Sequence, residues 1–342
     1  MSHDLLGELD TIGAFTSSPS DHREDLFVPF QELVGETVED RLRTLLMEER
    51  RVALIGPSGC GKSSLANYVT RAQPFAAIEI PVSSDPEVAR EEKLFGQHLV
   101  RAIGRWGAIH GTIDAEDVSR AKAEASDREE RPGRRSSTKF GGGANFGVVK
   151  GDLGRELAEE GAKIDLPIPT EEVAQVARRM LELVRYQKIT PVIVVDDSDR
   201  WLSDADKDTV DIFFGQILRW VAALGAATIV AVHEVYRLAP GYKQARGEGW
   251  FGEELWLPPL TEPSQLGRIL GKRIDQATGR RLEEVFQTPA VEELFGYYQG
   301  AASLSLRRTL TVSQEAARLG AKDPEAQFIT GAAARAAISG FH

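Results

Sequence analysis

The sequence contains a single cysteine, has no long uncharged hydrophobic run and begins without a basic leader. Cys60 cannot form an internal disulfide, so nothing in the composition indicates an oxidising compartment. The longest uncharged apolar run, residues 220–232, is shorter than the roughly 20 residues that a membrane helix needs. Residues 1–10 are acidic and lack the basic and apolar regions of a signal peptide. We therefore expect a cytoplasmic protein with no membrane partner.

Basic residues are outnumbered by acidic ones, 41 against 52, which gives a net charge of -11 at pH 7. This balance argues against a protein that nucleic acid covers over its whole surface. The hydrophobic content of 42% and the charged content of 27% are ordinary for a globular protein. A chain of 342 residues is long enough for a large core and favours two domains over one.

A glycine-rich turn directly follows the short apolar segment at residues 52–55 and precedes a helical pattern. Its spacing, Gly-x-x-x-x-Gly-Lys-Ser, is typical of the loop that holds nucleotide phosphates with its backbone N–H groups. We expect Lys62 to reach the β- and γ-phosphates of ATP, and the Ser63 hydroxyl to be a Mg²⁺ ligand. The predicted nucleotide-binding residues are Gly56, Pro57, Ser58, Gly59, Cys60, Gly61, Lys62, Ser63 and Ser64.

A second motif lies at residues 192–200, where four apolar residues are followed by Asp-Asp-Ser-Asp-Arg. An acidic residue at the end of a buried strand beside a phosphate loop is suited to orienting Mg²⁺, and we assign this role to Asp196. Asp197 is the candidate base that polarises the attacking water. Because aspartate is shorter than glutamate, we expect slow turnover. The alternative is a solvated acidic turn with no catalytic role.

The order of the expected elements indicates the architecture. Strand patterns at residues 52–55, 75–82, 192–195, 228–232 and 255–257 alternate with helical patterns, which predicts an α/β fold with a parallel sheet covered by helices on both faces. Only helical patterns follow Pro258 and Pro259. We therefore predict a flexible segment at 1–26, an ATPase domain at 27–258 and a small all-helical domain at 259–342.

The predicted ATPase domain carries a polar insertion at about residues 107–163, where the apolar periodicity is lost. Two aromatic residues, Phe140 and Phe146, are interleaved with basic ones in a chain that is otherwise acidic. Such a segment could contact DNA or a partner protein. The alternative is a solvated disordered loop. The basic residues are Arg128, Arg131, Arg134, Arg135, Lys139, Lys150 and Arg155.

Together these motifs resemble the P-loop ATPases of the AAA+ class and their relatives in the STAND and KAP groups. The sequence Asp-Asp-Ser-Asp-Arg at residues 196–200 is similar to the Asp-Asp-x-Asp-Arg of KAP-type enzymes. The helical C-terminal region resembles the lid of origin-recognition-type AAA+ initiators. The resemblance covers most of the chain, from about residue 27 to residue 338.

The resemblance implies three further site residues. His233, after the fourth strand, would be the polar sensor of the γ-phosphate or the water. Arg246, before the fifth strand, would be an arginine finger that completes the site of an adjacent subunit. Arg307, at the start of the third lid helix, would be a second sensor. The alternatives are a solvated histidine, a surface charge and a basic helix face.

Three functions are compatible with these features. The first is a Mg²⁺-dependent ATPase that forms a homo-oligomer when ATP is bound and controls DNA or a partner protein. The second is a nucleotide-dependent scaffold with little hydrolysis, acting with a separate effector protein. The third is a small-molecule kinase, against which the all-helical C-terminal region argues. The biological process and the number of subunits stay open at this point.

Overall fold

A parallel sheet forms the centre of the protein, as the alternating pattern predicted. The computed structural model describes residues 2–16, 26–72, 74–82, 86–111, 113, 170–196, 198, 201, 207–323 and 326–341. Within these ranges the sheet has five strands in the order β2-β3-β4-β1-β5, and every pairing is parallel. The strands are β1 (Arg51–Ile55), β2 (Phe75–Pro81), β3 (Thr190–Asp196), β4 (Ala227–Val232) and β5 (Glu253–Trp256).

Helices surround the sheet and make up the C-terminal region. Those before β5 are α1 (Ser2–Ile12), α2 (Phe30–Val34), α3 (Val38–Met47), α4 (Lys62–Arg71), α5 (Glu92–His110), α6 (Thr170–Tyr186), α7 (Lys207–Ile212), α8 (Leu218–Ala223) and α9 (Pro240–Gly247). Those after β5 are α10 (Pro263–Thr278), α11 (Thr288–Gln299), α12 (Leu306–Lys322) and α13 (Gly331–Ser339). A π-helical turn, Phe213–Ile217, joins α7 to α8.

The central strands are buried on both faces because successive side chains point to opposite sides of a strand. On β3, Val192 and Val194 belong to one apolar cluster, whereas Ile193 and Val195 belong to another on the opposite face. All residues of β4 are buried. This two-sided burial explains why these strands appear in the sequence as uninterrupted apolar runs. The predicted fold class is therefore confirmed.

All five strands run in the same direction, so their carboxyl ends meet at one edge of the sheet. β1 ends there at Ile55 and leads into the glycine turn, β3 ends at Asp196, and β4 is followed by His233. β4 lies between β1 and β3 in the sheet. The residue after β4 is therefore positioned between the glycine turn and the acidic strand end.

The helices after residue 259 share an apolar cluster that is distinct from the two clusters on the sheet. A single parallel bridge, between Phe286 and Ile329, is the β-pairing recorded in this part of the described chain. Helix α2 contacts both regions, since Phe30 packs with the sheet cluster and Leu33 with the helical one. The domain boundary at 258/259 remains a prediction.

The N-terminus differs from the flexible segment that we expected at residues 1–26. Residues 2–12 form α1, and Leu6 and Leu9 are buried in the cluster of the C-terminal helices. The Phe15 ring meets Phe286 edge-on at 5.7 Å, and the Phe15 N–H donates to the Gln314 side-chain oxygen at 3.0 Å. A short helix gains most of its stability from tertiary packing, which local sequence patterns do not reveal. Residues 17–25 lie outside the described part.

Substitution of Leu9 by alanine should therefore destabilise the protein. The Leu9 side chain has no exposed surface, and a buried Leu→Ala change typically lowers the free energy of unfolding by about 2–5 kcal/mol. Denaturant unfolding followed by circular dichroism would measure the change. Glu8→Ala, on the exposed side of the same helix, is the control and should shift stability by under about 0.5 kcal/mol. Equal stability of the two variants would mean that α1 does not pack on the C-terminal helices in solution.

In the residues that the structure describes, every helix is either too short or too polar to span a bilayer.

Candidate nucleotide site

The glycine turn after β1 has a backbone that only glycine adopts without strain. Gly59 and Gly61 have φ angles of 74° and 107°, in the left-handed region. Gly56 begins the turn, and its N–H donates to the Val232 carbonyl at 3.2 Å, which joins the turn to the end of β4. The predicted loop is therefore a compact turn at the carboxyl edge of the sheet.

Helix α4 begins at the end of this turn with its positive pole directed towards it. Its N-cap residue is Gly61, and no side chain caps the first turn. The first N–H groups of a helix have no partner within the helix, so an uncapped start beside a concave loop suits a phosphate. Ser63 and Ser64 lie in this first turn. The arrangement fits the oxygens of a nucleotide phosphate.

Lys62 supplies a positive charge inside the turn. Its side chain is 6% exposed, and Nζ donates to the carbonyl oxygens of Gly56 at 3.0 Å and Pro57 at 2.9 Å. These carbonyls carry only partial negative charge, whereas a phosphate oxygen carries a full one. An entering phosphate therefore offers the ammonium a stronger partner within the same loop.

Cys60 contributes its backbone to the turn rather than its thiol. The residue is 9% exposed and belongs to the apolar cluster that includes Leu54 and Leu257. A Cβ added at Gly56 would lie 2.6 Å from the Cys60 Sγ, so the thiol is packed under the start of the loop. Sequence reasoning placed Cys60 in the loop, and the structure shows which side its side chain occupies.

The acidic strand end lies two strands away from the turn, with β4 between them. Asp196 is half-buried at the end of β3, opposite Pro81 of β2, and α4 packs against β3. A serine hydroxyl from α4 and an aspartate carboxylate from β3 are hard oxygen donors, the type that Mg²⁺ prefers. Ser63 and Asp196 therefore fit the metal expected with ATP. Asp197 lies outside the described residues.

Two hydrogen bonds attach the segment after β3 to β4 and to the 3₁₀ turn that follows β4. The Ser198 hydroxyl donates to the Ala231 carbonyl at 2.6 Å, and the Tyr236 hydroxyl donates to the Ser198 carbonyl at 2.6 Å. Both bonds are buried, which makes them resistant to competition from water. Sequence reasoning missed Ser198 and Tyr236 as residues that hold the acidic segment, because no local pattern links positions so far apart in the chain.

His233 follows β4 between the turn and the acidic segment. Its Nδ1 accepts a hydrogen bond from the Val235 N–H at 3.3 Å, which caps the 3₁₀ turn Glu234–Leu238. In the neutral imidazole this assigns the proton to Nε2, since Nδ1 acts as the acceptor. The Nε2–H is then the donor of a ring that is half-buried at the carboxyl edge of the sheet.

The C-terminal helices touch the turn directly. The Arg307 N–H, at the start of α12, donates to the Gly59 carbonyl at 3.2 Å. A Cβ added at Gly59 would lie 2.5 Å from the Ser305 Oγ and 2.8 Å from the Arg307 Cβ. Ser305 is the N-cap of α12, and its hydroxyl accepts from the Arg308 N–H. The structure thus places the backbone of Arg307 at the loop, while its role as a second sensor stays a prediction. It adds Ser305, which sequence reasoning missed.

Arg246 lies in the last turn of α9, on the β5 side of the sheet. Its side chain is 58% exposed, and Nη1 is 3.2 Å from the Glu254 Oε1 of the same chain. Its proposed role towards another subunit stays a prediction. The basic insertion also stays a prediction, because its residues 114–163 lie outside the described part of the chain.

The chain is similar over part of its length to proteins named as gas vesicle ATPases. It is 33% identical over 108 residues to GvpN1 of Halobacterium salinarum, covering 30% of this chain and 30% of that protein. It is 31% identical over 103 residues to GvpN2 of the same organism, covering 28% and 29%. No known protein-family model matches the chain. The chain spans about 30% of the length of these curated relatives.

Proposed function

We propose that this chain is a Mg²⁺-dependent ATPase of the AAA+ type, which binds ATP at the glycine turn, between the sheet domain and the C-terminal helices. The observation that carries the proposal is the hydrogen bond from the Arg307 N–H to the Gly59 carbonyl. It places the C-terminal helices against the phosphate loop, where they can respond to the occupant of that loop. The names of the partial relatives, which are ATPases, support the same activity.

The roles of the residues follow from their positions. The turn and the start of α4 bind the phosphates, and Lys62 pairs with the β- and γ-phosphates. Mg²⁺, held by Ser63 and Asp196, supplies positive charge to the same phosphates when it is bound. His233 donates its Nε2–H towards the γ-phosphate or the attacking water, and Asp197 accepts the proton of that water.

Nucleotide state is coupled to assembly in this proposal. Arg307 senses the γ-phosphate from the C-terminal helices of the same subunit, and Arg246 completes the site of a neighbouring subunit. The assembled homo-oligomer then acts on DNA or on a partner protein, for which the basic insertion is the candidate contact. A nucleotide-dependent scaffold with little hydrolysis is the second candidate, and it is favoured by the short aspartate at position 197.

Size-exclusion chromatography with light scattering tests the proposal. The protein would be run with ATP, with ADP and without nucleotide, and phosphate release would be followed in parallel. We expect a larger particle with ATP, and we expect Asp197→Asn to trap this particle because its hydrolysis is blocked. A second series with DNA shows whether the particle binds nucleic acid.

The outcomes separate the two candidates. Assembly with ATP and measurable phosphate release support the ATPase. Assembly with ATP but without phosphate release supports the scaffold. A monomer in every nucleotide state would remove the trans role from Arg246 and contradict the assembly cycle.

A further inference from the structure

Glu254, in the middle of β5, accepts three partners although its side chain is only 12% exposed. Its Oε1 is 3.2 Å from the Arg246 Nη1 and accepts a hydrogen bond from the Tyr242 hydroxyl at 2.9 Å. Its Oε2 accepts a hydrogen bond from the Arg237 Nη2 at 3.3 Å. One carboxylate thus binds two guanidinium groups, so the cluster of these three charged side chains has a positive net charge.

The two arginines are held to different degrees. The Arg237 guanidinium lies 4.8 Å from the centre of the Trp256 ring, and its side chain is 35% exposed. Its buried Nε has no hydrogen-bond partner among the described residues, so Arg237 is held by its stacking and by its bond to Glu254. Arg246 has the ion pair with Glu254 but no aligned hydrogen bond to it, and its side chain is 58% exposed. Stacking on Trp256 and a hydrogen bond to Glu254 therefore retain Arg237, whereas only an exposed charge pair retains Arg246.

This asymmetry determines what happens when one arginine leaves. If Arg246 moves away, Glu254 keeps Arg237 and the Tyr242 hydroxyl, so the carboxylate stays paired. A buried carboxylate without a partner would be strongly unfavourable, and the second arginine prevents that situation. The cluster can therefore release Arg246 without disrupting β5.

We propose that Glu254 is a positioning residue that holds Arg246 within its own subunit until a neighbouring subunit offers a nucleotide with a γ-phosphate. Arg237 stays on Glu254 while Arg246 transfers. This inference rests on the proposed function, in which Arg246 acts on the adjacent site. The carboxylate competes with the neighbour's phosphates for one guanidinium, and the more highly charged triphosphate wins that competition where the diphosphate does not. Glu254 thereby raises the protein concentration at which assembly occurs.

Glu254→Gln is the decisive variant, because glutamine keeps the size and the carbonyl acceptor but removes the charge. Its ATP-dependent assembly would be followed by light scattering against protein concentration. The midpoint should lie at a protein concentration about two- to fivefold lower than in the wild type, which corresponds to the free energy of an exposed ion pair. Glu253→Gln is the matched control. It removes one charge from the same strand, and its partner is Arg41 at 3.6 Å rather than Arg246.

The proposal would be overturned if the assembly midpoint of Glu254→Gln were unchanged or higher. It would also be overturned if this variant hydrolysed ATP more slowly per assembled subunit. The effect of Glu254→Gln should also disappear in an Arg246→Ala background, as a double-mutant cycle would show. Persistence of the full shift in that background would mean that Glu254 acts through another residue.

A second measurement on the nucleotide-free protein separates failure of this inference from failure of the proposed function. Phenylglyoxal modification with peptide mass spectrometry should show faster reaction of Arg246 in Glu254→Gln than in the wild type, and unchanged reaction of Arg237. Equal rates at Arg246 would overturn the holding role even if ATP drives assembly. Faster reaction at Arg246 without any ATP-dependent assembly would overturn the transfer of Arg246 and the proposed assembly cycle. Only the pairing of Glu254 with Arg246 within one subunit would then stand.

Discussion

Lys62→Ala is expected to lower ATP hydrolysis by at least about 100-fold, the usual loss when a preorganised charge is removed from a transition state. Lys62 is 6% exposed, and its ammonium lies within hydrogen-bonding distance of two carbonyls of the glycine turn. No other lysine lies in the loop at residues 56–63, so the charge has no substitute there. Phosphate release under saturating ATP would measure the loss.

Lys93→Ala is the control for Lys62→Ala, because Lys93 is an exposed lysine of α5. It should retain wild-type hydrolysis. If Lys62→Ala also weakens the binding of ATP, this variant should no longer form the larger particle with ATP. If Lys62→Ala hydrolysed ATP within about threefold of the wild-type rate, Lys62 would not contact the phosphates. That result would contradict a nucleotide site at this turn.

Gly59→Ala should destabilise the protein and weaken the contact between the phosphate loop and α12. A left-handed backbone costs a non-glycine residue about 1–2 kcal/mol, and the φ of Gly59 is 74°. The new methyl group would also lie 2.5 Å from the Ser305 Oγ and 2.8 Å from the Arg307 Cβ. Overpacking of this kind typically costs about 1–3 kcal/mol. We therefore expect a total loss of about 2–5 kcal/mol in unfolding free energy.

Two glycines of the same backbone class separate the two contributions. Gly35 and Gly61 have φ angles of 78° and 107°, and an added Cβ would meet nothing within 4 Å at either position. In Gly35→Ala and Gly61→Ala, the free energy of unfolding should fall only by the backbone contribution of about 1–2 kcal/mol. Denaturant unfolding without nucleotide would compare the three variants. A Gly59→Ala variant as stable as the other two would mean that α12 does not rest on the loop in solution.

The sequence alone was sufficient for the features that depend on neighbours in the chain. The apolar runs at 192–195 and 228–232 predicted two-sided strands, because a parallel strand covered by helices is buried on both faces. The glycine spacing predicted the turn, because Gly59 and Gly61 adopt angles that other residues avoid. The end of β3 at Asp196 could be predicted because an acidic residue directly follows the apolar run, and its role towards Mg²⁺ stays a prediction.

The features that the sequence left undecided join positions far apart in the chain. α1 was missed because its stability comes from α10 and α12, about 250–300 residues away, rather than from its own propensity. The sheet order, the contact of Ser305 with the loop and the pairing of Glu254 with two arginines were also not expected. None of them leaves a local pattern.

The amino-acid sequence by itself therefore determined the five strands, the glycine turn and the acidic end of β3. These depend on backbone conformation and on hydrophobic periodicity within a few residues. Only the tertiary structure decided that β4 separates β1 from β3, that the start of α12 contacts Gly59 and that Glu254 pairs with Arg246. The physical reason is that side-chain contacts between distant segments depend on how the elements pack, and many packings are compatible with the same local pattern.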